Sequence, residues 1–360
     1  MKIGILTLPL GNNYGGVLQN YALQQVLRRL GHEPITINFR PKMPLWIFFI
    51  STIKSIVFFF IPSKRRKFVS WPKIQPRSRF TVGFMDKHIC LTDEVTSYSN
   101  RILKQYQLDG VIVGSDQVWR PRYNGRELFD SYLRFVKGSN KFRVAYAASF
   151  GVDRWEYSPR QSILCKKLIN RFDAISVRER SGIALCEEHF GVTAVEVLDP
   201  TLLLSANDYI TLCKEIPKSK KPSLVAYLLD PNDEKRSIVE ALASRNKLSV
   251  NYIFAHNNIG LTIEEWLAMF RDAPLVVTDS FHGTVFSIIH HTDFISIPNK
   301  GRGLSRFESL LSNFELTNRM IGSLPEVDNI DSIDWERVDK LIHKLQISSI
   351  NFLKDSLTEK

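Results

Sequence analysis

Short apolar runs alternate with stretches of helical periodicity along most of the chain. Lys2–Thr7 is apolar, a glycine loop follows, and Val17–Leu30 then places Val17, Leu18, Tyr21, Leu27 and Leu30 on one helical face. Gly31 supplies a stop, and Glu33–Phe39 resumes as strand. Strand, loop, helix and strand form a βαβ unit, which requires a parallel sheet and a right-handed crossover. Further strands are predicted at Gly110–Val113, Arg143–Ser149, Ala174–Val177, Leu224–Leu229, Val250–Phe254, Leu275–Thr278 and Phe294–Ile297. Helices are expected over Asp233–Asn246, Ile263–Phe270 and His282–His290. The pattern is α/β, and 360 residues suffice for two doubly wound, Rossmann-like domains. A boundary is expected within Val197–Asp208, giving domains of 1–200 and 201–330. The tail 331–360 carries an amphipathic helix, Ile333–Leu357, expected to pack back on the first domain.

One stretch breaks the alternation. Leu45–Ile61 is 17 residues, nearly all apolar with Lys54 inside, and Lys64, Arg65, Arg66 and Lys67 follow it. It falls at the short end for a span of about 20 residues. Trp46 at one end and the basic cluster at the other suit a segment of 44–67 lying in a membrane interface. A buried hairpin or a partner-binding helix is the alternative.

Composition narrows the chemistry. Hydrophobic residues at 44 % and charged residues at 24 % are globular proportions, which excludes a disordered or fibrous chain. The 48 Lys and Arg against 37 Asp and Glu leave +11, a balance that favours anionic partners or simply a basic surface. The basic residues are dispersed apart from Lys64–Lys67, and no nucleic-acid module is recognisable, so nucleic acid is not the expected partner. Four scattered cysteines without a C-x-x-C give neither a disulfide framework nor a zinc site. The first residues lack the apolar core of a signal peptide, so a cytoplasmic setting, at the inner face of a membrane if 44–67 touches one, is expected.

Four polar clusters stand where strands end. Asn13, Tyr14, Gly15 and Gly16 lie in the loop between the first strand and the helix Val17–Leu30, where glycines let backbone approach a ligand or merely make a turn. Neither a dinucleotide fingerprint nor a Walker motif is present. Val111–Val113 runs into Gly114, Ser115, Asp116, Gln117 and Trp119, at the sheet edge where ligands collect. Asp116 there could deprotonate a hydroxyl or cap a helix, and Trp119 could stack on a sugar. Arg178 and Arg180 follow the strand Ala174–Val177, either as an anion fork or, with Glu179 between them, as a surface ion network. Leu275–Thr278 leads into Asp279, Ser280, Phe281, His282, Gly283 and Thr284, placing a histidine at a helix N-terminus. Arg302 and Arg306 sit in a basic loop suited to an anionic ligand.

In this order, NYGGVLQNYAL, VGSDQVW, YAASFG, SVRERSG, LDPTLLL and TDSFHGTVFS resemble the polysaccharide pyruvyl transferase family, from the first strand to about Leu316. The resemblance implies a GT-B-like pair of domains with the site in the cleft between them. It implies transfer of a pyruvyl group from phosphoenolpyruvate to a sugar of a surface polysaccharide or its lipid-linked precursor, as a cyclic ketal, with no metal and no cofactor. It also implies His282 as general acid/base and Arg178 as a ligand of the donor anion, with Asp116 and the Asn13–Gly16 loop facing the acceptor. A nucleotide-sugar glycosyltransferase and a non-catalytic glycan-binding homologue are the alternatives. One position departs from the family. Ser280 stands where the pyruvylating members carry an arginine. Either Arg180, Arg302 or Arg306 replaces it, the donor differs, or the chain performs another transfer.

Overall fold

A computed structural model describes residues 1–40, 79–137, 140–254, 260–299, 301, 303–323 and 331–358. The apolar segment and basic cluster of 44–67, and Arg302, lie outside the described residues. No helix among the described residues is long and apolar enough to cross a membrane.

Among the described residues, ten strands form two parallel sheets. The first holds β1 (Lys2–Leu6), β2 (Glu33–Thr36), β3 (Gly110–Val113), β4 (Phe142–Ala148), β5 (Ala174–Val177) and β6 (Val195–Glu196), in the order β2-β1-β3-β4-β5-β6. Ile3 of β1 pairs with Gly110 of β3 on one side and with Pro34 of β2 on the other. The second sheet holds β7 (Ser223–Leu228), β8 (Ser249–Phe254), β9 (Leu275–Thr278) and β10 (Asp293–Ser296), in the order β10-β9-β7-β8. Both sheets reverse direction of growth in their middle, between β1 and β3 and between β7 and β9. Crevices open at such reversals, outside the carboxyl ends of the strands.

The α-helices among the described residues are α1 (Tyr14–Arg29), α2 (Arg79–His88), α3 (Asn100–Gln105), α4 (Pro121–Asn124), α5 (Pro159–Ile169), α6 (Arg180–Leu185), α7 (Ala206–Leu212), α8 (Asp233–Arg245), α9 (Ile263–Asp272), α10 (Phe281–Ile289), α11 (Ser305–Asn313) and α12 (Trp335–Ser356). Most predicted elements appear within one to three residues of their expected ends, with α1 starting earlier, at Tyr14, because Asn13 caps it by accepting a hydrogen bond from Gly16 N.

α1 is buried far beyond its apolar face: 13 of its 16 residues are inaccessible. Its polar members therefore need partners inside the protein. Gln19 donates to Thr7 Oγ1 and Gly16 O, Gln24 to Thr36 Oγ1 and Cys90 O, and Asn20 accepts from Thr36 Oγ1. One apolar cluster runs from Ile3, Val17 and Leu18 through Leu202 to Trp266, Phe286 and Phe294, so the two sheets share a core through α1. α12 lies over the crossing between them, where Ser349 Oγ accepts from Leu198 N and Gln346 donates to Leu202 O.

Candidate active site between the two sheets

A cavity of about 330 Å³ opens between the two reversal points. Asn12, Asn13, Asp116, Gln117 and Tyr123 line it from the first sheet's loops; Tyr227, Asp279, Ser280, Phe281, His282 and Arg306 line it from the second's.

The first wall is set by local geometry after β1 and β3. Asp116 adopts φ +79°, a left-handed conformation that is costly for any residue with a Cβ but that aspartate tolerates better than most. Its carboxylate accepts from its neighbour Gln117 N at 2.9 Å and from Asn13 Nδ2 at 3.4 Å. Strain of this kind persists where surrounding structure over-determines it. Here a parallel bridge from Asp116 to Ala148 holds it.

The second wall follows β9. Ser280 caps α10 by accepting from Gly283 N, and Asp279 accepts from Leu229 N at 2.5 Å, Asp230 N at 2.9 Å and Lys235 Nζ at 2.5 Å. The cap and the anchored aspartate fix where the next side chain, His282, projects. Its Nε2 has no hydrogen-bond partner among the described residues and lies 3.8 Å from Asp199 Oδ2. That separation is too long for a hydrogen bond. On the other side the ring abuts Gly15. A methyl group there would lie 2.8 Å from His282 Cβ and overlap Nδ1, so only glycine lets α1 approach.

Asp199 is the member of this cluster that single-motif reasoning overlooked. It is fully enclosed, Oδ1 accepting from Thr201 N and Thr201 Oγ1, Oδ2 from Ser115 Oγ at 2.9 Å and Arg178 Nη1 at 2.8 Å. Burial alone would raise its carboxyl. The facing His282, the Arg178 guanidinium and the Thr201 hydroxyl overcome that and hold it well below the usual carboxylate range. The signal was present in the LDPT run, but nothing local shows that its aspartate meets Ser115, Arg178 and His282.

Arg178 is buried, with its guanidinium carbon 4.5 Å from the centroid of Phe281. Its Nε and Nη2 have no hydrogen-bond acceptor among the described residues. Burial disfavours its charge, which Asp199, Asp116 and Glu179 restore. Arg306 approaches the same ring at 5.6 Å. Burial and the like charge of Arg178 bring it down to about 10, which still leaves it charged at neutral pH. Glu179 turns inward and accepts from Ser149 Oγ, Phe150 N and Gly151 N. Arg306, expected in a loop, lies buried in the first turn of α11. Gly303 (φ +100°), just before that helix, packs directly on the Gly151 carbonyl, so the entry to α11 docks on a turn that Glu179 holds.

Other expected residues stand elsewhere. Arg180 is exposed and pairs with Glu196 at 3.7 Å, because α6 begins there and turns its side chain outward. Trp119 is wholly buried, stacked on Tyr132 with its Nε1 donating to Ser131 O, and has no face for a sugar. Tyr14 links the two halves, its hydroxyl donating to Leu261 O and its ring edge-on to Trp266; burial, then Glu265 and Glu264, push that hydroxyl up to about 12. Gly16 packs on Asn13, Gly283 on Thr278, and Thr284 shares a hydrogen bond with Ser296. Among the described residues no cluster of three metal-ligating side chains occurs.

A family model described as polysaccharide pyruvyl transferase matches residues 13–301. No curated protein matches the chain. Among solved structures, the glycotransferase of kitacinnamycin is similar with a TM-score of 0.52 and 11 % identity over 99 % of each chain. The wall teichoic acid polymerase TagF has a TM-score of 0.48 at 12 % identity, over 99 % of this chain and 89 % of that one. The UDP-GlcNAc 2-epimerase of Methanocaldococcus jannaschii has 0.47 at 10 %, over 96 % and 100 %. The first of these similarities concerns the fold alone, two Rossmann-like domains about a cleft in the GT-B manner. With the family model spanning most of the sequence and both walls of the cavity up to His282, this chain belongs to the polysaccharide pyruvyl transferase family.

Proposed function

We propose that the protein transfers a pyruvyl group from phosphoenolpyruvate to two hydroxyls of a glycan or lipid-linked oligosaccharide, forming a cyclic ketal. The observation that carries this reading is the buried group around His282. An imidazole nitrogen without a partner among the described residues faces the lowered Asp199 carboxylate, beside the Arg178 and Arg306 guanidiniums.

The chemistry needs a proton on the methylene carbon of phosphoenolpyruvate, which leaves an oxocarbenium-like centre at the adjacent carbon. One sugar hydroxyl adds there and gives up its proton. A second hydroxyl then displaces phosphate and gives up its own, closing the ketal. One released proton replaces the one consumed at carbon, and the other leaves with phosphate. In this reading His282 delivers and recovers protons, an effect worth roughly a hundredfold to ten-thousandfold, and Asp199 balances the charge of the protonated ring. Arg178 and Arg306 hold the carboxylate and phosphate of the donor, as planar forks suit such groups. Ser280, a helix cap here, leaves the second cationic role to Arg306. Asp116, with Asn13 and Gln117, faces the acceptor.

The test is incubation with phosphoenolpyruvate and lipid-linked acceptors, following phosphate release and an acid-labile mass gain on the glycan. Phosphoenolpyruvate should also raise the melting temperature, since a ligand of the native state stabilises it. Stabilisation by UDP or GDP instead, with no phosphate released from phosphoenolpyruvate, would overturn the proposal in favour of sugar transfer from a nucleotide.

A further inference from the structure

Sugar-binding clefts need a flat apolar surface for the C–H face of the ring and amides or carboxylates for its hydroxyls. Trp119, the aromatic that the sequence places next to the strand end, is in the core and cannot serve. Tyr227, Phe281 and Phe307 line the cavity but are buried, and Tyr123, one turn further on in α4, is the exposed large aromatic of its lining. It is 44 % exposed, against less than 1 % for Trp119, and lines the cavity beside Asn12, Asn13 and Gln117.

An exposed tyrosine on its own is ordinary. This one is braced. The Arg120 guanidinium carbon lies 5.3 Å from the ring centroid, and Arg120 is itself buried and immobilised. Its Nε and Nη2 donate to the two oxygens of Glu156 at 3.0 and 3.2 Å, and its Nη1 donates to Gln117 Oε1 at 3.0 Å. Burying a cation under a surface ring requires this bidentate partner. The result is a tyrosine whose orientation is set before any ligand arrives, so little side-chain freedom is lost on binding. The same guanidinium fixes Gln117, whose amide lines the cavity, so the apolar platform and a hydroxyl-binding group are held in one register.

We propose that Tyr123 is the stacking platform for a pyranose ring of the acceptor, with Arg120 as its positioning residue and the amides of Asn12, Asn13 and Gln117 taking the ring hydroxyls. This deepens the pyruvyl-transfer reading and, for its kinetic arm, rests on it. Stacking places the sugar on the first wall, across the cavity from His282 and Arg306, the side the donor occupies in that reading. Amides offer both donors and acceptors, which matches hydroxyls better than it matches an anion.

The experiment has two arms. In steady-state kinetics, Tyr123→Ala should raise the acceptor KM at least tenfold, leave the donor KM within twofold, and leave the melting temperature unchanged, while Tyr123→Phe and Tyr123→Trp stay close to the parent. An unchanged acceptor KM in Tyr123→Ala overturns the proposal, and so does an equal rise in both KM values. The second arm needs no donor. Saturation-transfer NMR with a panel of methyl pyranosides should show ring C–H signals in the parent that disappear in Tyr123→Ala and persist in Tyr123→Phe. Absence of signal from every pyranoside in the parent, or its persistence in Tyr123→Ala, also overturns it. Pyranoside binding lost with Tyr123, together with no reaction of phosphoenolpyruvate, would leave the platform standing and remove the donor assigned above.

Discussion

The two walls of the cavity are made by the same device, a parallel strand ending at a reversal in its sheet, yet they hold different chemistry. The first wall, after β1 and β3, presents amides, a strained aspartate and a tyrosine. The second, after β9, presents an imidazole and, from α11, a guanidinium. Arg178 and Asp199 lie between them, bonded to the first wall through Ser115, and Asp199 faces His282 of the second at 3.8 Å. Sheet topology therefore says where a site forms, and the few residues beyond each strand end say what it can hold.

Loss of the imidazole should separate the walls most sharply. His282→Ala is expected to lower phosphate release from phosphoenolpyruvate by about a hundredfold to ten-thousandfold, with the circular dichroism spectrum unchanged; a variant retaining more than a tenth of parent turnover would remove His282 from the chemistry.

Next in size is the connection between the walls. Asp199→Asn leaves Arg178 buried without its closest counter-charge, and breaking a buried pair in this way costs about 3–5 kcal/mol. The unfolded carboxyl titrates near 3.9, and the folded one lies below that. The stabilisation from Asp199 is thus whole above about pH 4 and lost as pH falls toward the folded value. Urea unfolding at pH 7 should show the deficit, and the gap between variant and parent should narrow in stronger acid. A gap constant down to pH 2 would mean that charge is not what Asp199 contributes.

A smaller effect is expected where α1 meets the histidine. Alanine usually improves on glycine inside a helix by about 1 kcal/mol. At Gly15 the added methyl overlaps the imidazole, and overpacking of this kind costs about 1–3 kcal/mol. Gly15→Ala should therefore lower the melting temperature and activity together, and a rise in stability would show that the two walls separate easily.

The smallest change belongs to Arg180. Its side chain is 72 % exposed, and exposed pairs contribute little. Arg180→Ala should alter stability by less than about 0.5 kcal/mol and leave the donor KM unchanged, whereas Arg178→Ala should raise the donor KM at least tenfold. Equal effects of the two substitutions would restore the anion fork.

The contrast between these two arginines shows how far the sequence could be read. That a strand ends at Val177 and two arginines follow it was legible, because apolar runs and helix starts are local patterns. Which of Arg178 and Arg180 turns inward was not. Glu179 accepts from Ser149 Oγ and the backbone of Phe150 and Gly151, and α6 begins at once, so the chain direction changes between the two. Trp119 and Tyr123 repeat the lesson. Both follow the same strand, and only the packing of Trp119 on Tyr132 decides which aromatic reaches the cavity.

From the order of residues alone came the α/β class, the parallel strands, and the placing of His282 at a strand-to-helix turn. These depend on neighbours a few positions away. The meeting of Ser115, Arg178, Asp199 and His282 depends on segments up to 167 positions apart, from Ser115 to His282. A carboxylate beside an imidazole across two domains arises only once Gly15 lets α1 close on α10 and the shared core draws the sheets together. Distance along the chain carries no information about that approach; burial and shape do.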